Sequence, residues 1–196
     1  MKQIIIKDLL DISIPVMEGF VAVEPQPWTR KTVLLELVGE IGELAHLVQH
    51  WDGYKCGRPG AAQLADECSD VLFLILRLAC SENIHLPETI ELEAQQAMHA
   101  SDLTLELSRG AAALQDPDCD PAVTLAGMLT ALGYLSGCLG IDLARAHQRE
   151  MEIALYFFKA SGDRWPRPQP FRYPSASFRL ARLLWKKRTI RNPSDI

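Results

Sequence analysis

The sequence predicts an all-α fold, on three observations. Apolar residues recur at the 3.6-residue helical period over long stretches, and these outnumber alternating, strand-like patterns. Proline- and glycine-rich breaks punctuate them, most clearly "WDGYKCGRPG" and "QDPDCDP". A hydrophobic content of 48% over 196 residues is ample for the core of one large domain or two small ones. In chain order, "MKQIIIKDLLDISIPVMEGF" has Lys7 and Asp8 among its apolar residues and no small-residue cleavage site, so it does not read as a secretory signal. The first predicted helix, Val33–His50, carries Val38, Ile41, Leu44, Leu47 and Val48 at helical spacing. After the first break, Ala61–Cys80 opens with Asp66, Glu67 and Asp70 and then turns almost wholly apolar. Helices are also predicted over Leu86–Ser101 and Leu103–Gln115. The second break separates these from Ala122–Leu139 and Leu143–Ser161, and a basic amphipathic helix, Ser175–Arg188, closes the chain. No run approaches a membrane span.

Charge is distributed unevenly. Residues 164–196 hold nine of the 20 Lys and Arg but only Asp195 of the 25 acids, leaving 11 basic against 24 acidic residues in the rest. So acidic a body disfavours nucleic acid as the main partner, because phosphate contacts dominate that affinity. Small phosphorylated ligands remain open to it if metal ions mediate. The five cysteines, Cys56, Cys68, Cys80, Cys119 and Cys138, are odd in number and lack CxxC spacing, which fits reduced thiols in a cytoplasm better than a disulfide framework or a zinc site.

The later helix pair reads as a worn copy of the first, against the alternative that two leucine-rich amphipathic helices align this well by composition alone. "LELVGEIGEL" aligns with "LELSRGAAAL" at an offset of 70, and "LILRLACSENIHL" with "ALGYLSGCLGIDL" at an offset of 57. Glu36 is kept as Glu106, whereas Glu40 and Glu43 become Gly110 and Ala113, and Glu67 and Asp70 become Thr124 and Gly127. The second copy keeps packing residues and loses carboxylates, which dissociates the acids from the fold. The chain accordingly divides into 1–101 with the acids, 102–166 as a degenerate second repeat packed on the first, and 167–196 as a basic arm.

The acids need an explanation. Glu36, Glu40 and Glu43 fall in one stripe of their helix, as do Asp66 and Asp70 with Glu67 on the shoulder. Like charges at this spacing cost roughly 0.2–0.5 kcal/mol per pair even on an open surface. A cation is the simplest agent to offset that. Glu40 and Glu43 form ExxE and Glu67 and Asp70 form ExxD, so two such helices packed antiparallel can enclose hard cations.

This pattern resembles the MazG-like all-α nucleoside triphosphate pyrophosphatases, which include the dimeric dUTPases and dCTP pyrophosphatases. The likeness extends beyond the acids to the context of "LVGEIGELAHLVQ" and the apolar tail of "DECSDVLFLILRLA", and covers about Trp28 to Leu86. It implies a fused-dimer-like helical bundle in which Glu40, Glu43, Glu67 and Asp70 bind Mg²⁺, with Mn²⁺ as a substitute. It also implies loss of pyrophosphate from a bound nucleoside triphosphate, and a homodimer or higher homo-oligomer. Two ions would neutralise the triphosphate, orient a water toward the α-phosphorus and stabilise the leaving group. Glu40 or Glu43 is the candidate to hold or deprotonate that water. Family members often carry a basic and amide pair ahead of the first acidic helix, where this chain has Lys31 and Thr32. The basic tail that closes such a domain is matched only after the second repeat, by "KASGDRWP" with Lys159 and Arg164.

Simpler readings stand beside this one. The acids fit a solvated helix face, and Asp66 a helix-start charge. Glu43 and His46 make the ExxH of di-iron bundles, but a second ExxH is missing. Trp28, His50, Trp51 and Tyr54 are candidates to stack on a base, and aromatics near helix ends also serve as core or rim. The basic C-terminal stretch suggests membrane or calmodulin-like binding, or a helix docked on the acidic body. A catalytically silent helical module that binds a nucleotide or a protein is the alternative to the enzyme.

Overall fold

Thr29 sets the start of the first acidic helix, its hydroxyl accepting the Thr32 N–H. In the computed structural model, which describes residues 2–92 and 98–161, that helix is the second of six. Strand β1 (Lys2–Ile5) runs directly into α1 (Ile6–Val23), followed by α2 (Arg30–Trp51) and α3 (Ala61–Ser81). Strand β2 (Thr89–Leu92) precedes α4 (Ala100–Ala113), α5 (Pro121–Cys138) and α6 (Leu143–Ser161). Helix α5 has Pro121 in its first turn and Asp120 accepting the Ala122 and Val123 N–H groups, an N-terminus in which fixed φ and a side-chain cap agree.

The all-α class holds, and five predicted helices are present as α2 to α6. The predicted helix Leu86–Ser101 is not formed as such. Thr89–Leu92 instead pairs antiparallel with Lys2–Ile5, Ile4 facing Ile90 across the ribbon. Ile90 and Leu92 are buried while Glu91 is exposed, so a period of two rules this short stretch after Pro87. Helix α1 was not anticipated, since Pro15 and a density of β-branched residues weaken the helical signal. Pro15 is exposed, and tertiary burial of Leu9, Ser13, Val16 and Met17 holds the helix. The predicted helix Ser175–Arg188 lies outside the described residues.

Helices α2, α3, α5 and α4 form a four-helix ring in which each packs on its neighbours. Helix α6 packs on α3, α1 on both, and the ribbon on α5. Gly133 permits that last contact: a Cβ there would stand 3.0 Å from Ile4 and 3.1 Å from Leu92. Helix α3 is the axis of the molecule, with every residue from Val71 to Ala79 buried, and one core runs through both expected repeats. By length and composition α5 could cross a membrane, which the sequence reading did not register; here its buried side packs on α3, α4 and the ribbon.

Contacts fix the direction of the outer helices. Ser13, Ser69 and His147 meet at one level, and Phe20, Phe73 and Phe158 at a later one, so α1, α3 and α6 advance the same way. Under the repeat alignment α2 and α4 begin at equivalent positions. Helices α3 and α5 end alike, Asn83 (φ 53°) and Gly140 (φ 71°) taking the same left-handed turn. The Ile84 N–H bonds to the Ala79 carbonyl, and the Ile141 N–H to the Ser136 carbonyl, at 2.8 Å each.

Candidate functional site: a carboxylate trio between α2 and α3

The nine-residue loop after α2 turns the chain back so that α2 packs on α3 and Glu40 of ExxE meets both acids of ExxD. Glu40, Glu67 and Asp70 converge, one oxygen of each lying within 4.8 Å of the others. Glu40 is buried and the other two are half-buried. Burial of carboxylates is costly without compensation, and three together add mutual repulsion. At 2.0–2.1 Å per bond, oxygens sharing an octahedral Mg²⁺ stand about 2.9 Å apart when adjacent and about 4.2 Å apart when opposed. The 4.8 Å bound on the trio is close to that range. An all-oxygen donor set suits Mg²⁺ or Mn²⁺.

Glu43 is one turn further along α2, half-buried and outside the trio. Asp66 is buried on α3, more deeply than a helix-start charge would be.

The expected substrate contacts are dispersed. Lys31 is exposed nine residues before Glu40, so it stands on the opposite side of α2 and about 13.5 Å along it. Trp28 packs on the core, with the Arg77 guanidinium 4.0 Å from its ring centroid, so one face of the indole is already covered. Trp51 is half-buried under Arg58, 4.4 Å from its centroid. Lys159 is exposed twelve residues, or about 18 Å of helix rise, beyond His147, which is level with Ser69 beside the trio. Arg164 lies outside the described residues. The His50 Nδ1–H donates to the Cys56 carbonyl at 2.7 Å, and His46 Nδ1 accepts from the Lys55 ammonium at 3.0 Å. Tyr54 is largely exposed.

Two polar clusters escaped the sequence reading. His147 is fully buried, bonded to Ser13 Oγ at 2.7 Å and Ser69 Oγ at 3.0 Å. Burial pushes its pKa down to about 4, against the Ser69 hydrogen bond, which raises it. Arg77 is buried in an ion pair with Glu24 and tethers the α1–α2 connection to α3. Glu150, also buried, shares a helix stripe with His147 three residues earlier. The signal for both was in "HQREMEIAL", where a histidine and a glutamate occupy the apolar side of an amphipathic helix. All five cysteines are free, and burial pushes the Cys68 thiol, which lies between Glu67 and Asp70 on α3, up to about 12.

The repeat alignment places Gly110 opposite Glu40. There α4 and α5 are so close that a Cβ on Gly110 would collide with the Met128 side chain. Thr124, aligned with Glu67, bonds the Asp120 carbonyl, and Gly127, aligned with Asp70, faces open space. At the position aligned with Glu40, the Met128 side chain occupies the space a carboxylate would need.

No protein-family model matches this chain, and neither a curated protein nor a solved structure matches it significantly.

Proposed function

We propose that this chain is a divalent-metal-dependent nucleoside triphosphate pyrophosphohydrolase, which cleaves a nucleoside triphosphate with water to the monophosphate and pyrophosphate. The convergence of Glu40, Glu67 and Asp70 carries the proposal. The resemblance of their sequence context to MazG-like pyrophosphatases supports it, as do the matched ends of α3 and α5, which fit a tandem duplication with one acidic site.

Glu40, Glu67 and Asp70 would hold Mg²⁺. When bound, the ion would offset the triphosphate charge and polarise the α-phosphoryl group. Glu43, on the adjacent turn and outside the trio, would orient the attacking water and take its proton. Burial of Glu40 lowers the local dielectric, which would strengthen the hold of the trio on a cation. Cationic help for the phosphates would come from outside this hairpin, from Arg164 or from a second copy.

A second reading, a catalytically silent nucleotide- or protein-binding module, draws on Lys31 standing across α2 from Glu40 and on Thr32 replacing an amide. Incubation with Mg²⁺ and each common ribo- and deoxyribonucleoside triphosphate, with assay of pyrophosphate and monophosphate, separates the two. Turnover of at least one nucleotide that stops on chelation is expected. No release from any of them would leave the silent module.

A further inference from the structure

We propose that the outward face of α1 is the docking site for this chain's own basic C-terminal segment, Ser175–Arg188. The inference is independent of the metal site. One side of α1 is covered by α6 and α3; the other presents Asp8, Asp11, Ile14, Glu18 and Val21 to solvent. Ile14 and Val21 are seven residues apart and share a stripe, Val21 being 63% exposed. The three carboxylates lie along one side of that stripe, and the only cation among them, Lys7, is paired with Asp11 at 3.0 Å. No other described helix combines these features. Helix α2 exposes Leu35 and Val38 beside Lys31, α6 exposes Arg145 and Arg149, and Glu106 on α4 is paired with Arg109.

The end of α6 lies within tether reach of this face. Helix α6 runs parallel to α1 and ends beside its last turns, where Phe158 packs on Gly19 and stands 5.2 Å from Phe20. Residues 162–174, with four prolines, span up to about 40 Å. The face from Asp8 to Val21 is about 20 Å long, and a 14-residue helix about 21 Å. At 100° per residue Phe178, Ala181, Leu184 and Trp185 form one apolar arc, bordered by Arg182 and Lys187. The arc would cover Ile14 and Val21 while a border cation reaches Asp11 or Glu18. Nine basic residues against one acid in 164–196 complement the acidic face, and a tether of this length supplies millimolar effective concentration.

The test is chymotrypsin cleavage after Phe178 and Trp185 in the full chain, followed by mass spectrometry. Asp11→Lys/Glu18→Lys should speed cleavage at least tenfold, and so should Arg182→Glu/Lys187→Glu, which leaves the helical body untouched. Combining the two sets restores opposite charges and should return the rate toward wild type. Equal rates in all four proteins would overturn the proposal. So would protection that is lost on dilution, which assigns the segment to a second copy, or protection gained only with phosphatidylserine vesicles, which assigns it to a membrane.

Discussion

Under the proposed function, taking one carboxylate from the trio removes a cation ligand and a like-charge repulsion together, so function and stability should part company. Glu67→Ala and Asp70→Ala are expected to lower turnover roughly 100-fold or more, while the metal-free melting temperature holds or rises. Retention of most activity in either variant would remove the site assignment. His147 is a contrasting case, because its environment excludes charge. Its folded pKa of about 4 lies below the ordinary 6.5, so below pH 6.5 the unfolded chain takes up a proton that the folded chain refuses. Stability is therefore lost as pH falls, by about 2 kcal/mol between pH 6.5 and 5. Urea midpoints across that window should show this slope in the wild type and lose it in His147→Gln. Neither burial was legible from residue type alone. Glu40 and His147 sit in stripes that the helical period marks, but which of the partners across the interface would meet them depends on how the helices cross.

At the scale of elements, the termini of helices were legible where local chemistry sets them, as with Asp120 and Pro121 at α5. They were obscure where long-range pairing wins. Thr89–Leu92 becomes a strand because Lys2–Ile5, more than 80 residues earlier, offers its edge, and α1 survives Pro15 because its other face is buried. Arg77 ties α3 to the α1–α2 connection through Glu24 and Trp28. Breaking one member of a buried pair costs about 3–5 kcal/mol, so Arg77→Ala should lower the melting temperature by about 6–15 °C, with the α1–α2 connection losing hydrogen-exchange protection first. An unchanged melting temperature would mean that the pair stabilises nothing net. The second hairpin makes a separate prediction. Gly110→Glu forces a side chain into Met128, so it should destabilise rather than create a metal site. Cation-dependent stabilisation of that variant beyond wild type would refute the packing argument.

For the whole molecule, a cation bound only by the folded state stabilises it by mass action, about 2.7 kcal/mol at a concentration 100-fold above Kd. Saturating Mg²⁺ should raise the wild-type melting temperature by about 5–10 °C and leave Glu67→Gln/Asp70→Asn unmoved. An equal shift in both would place the cation elsewhere. The sequence by itself determined the helical class, the positions of α2 to α6 and the two acidic turns, because these follow from a periodicity read over neighbouring residues. Only the tertiary structure decided that Glu40 joins Glu67 and Asp70 while Glu43 stays outside. It alone separated Lys31 and Lys159 from the trio, and made Trp28 a partner of Arg77. Helical spacing places side chains on a face, but the distance between faces is set by packing among helices far apart in the chain, and that is where a binding site acquires its geometry.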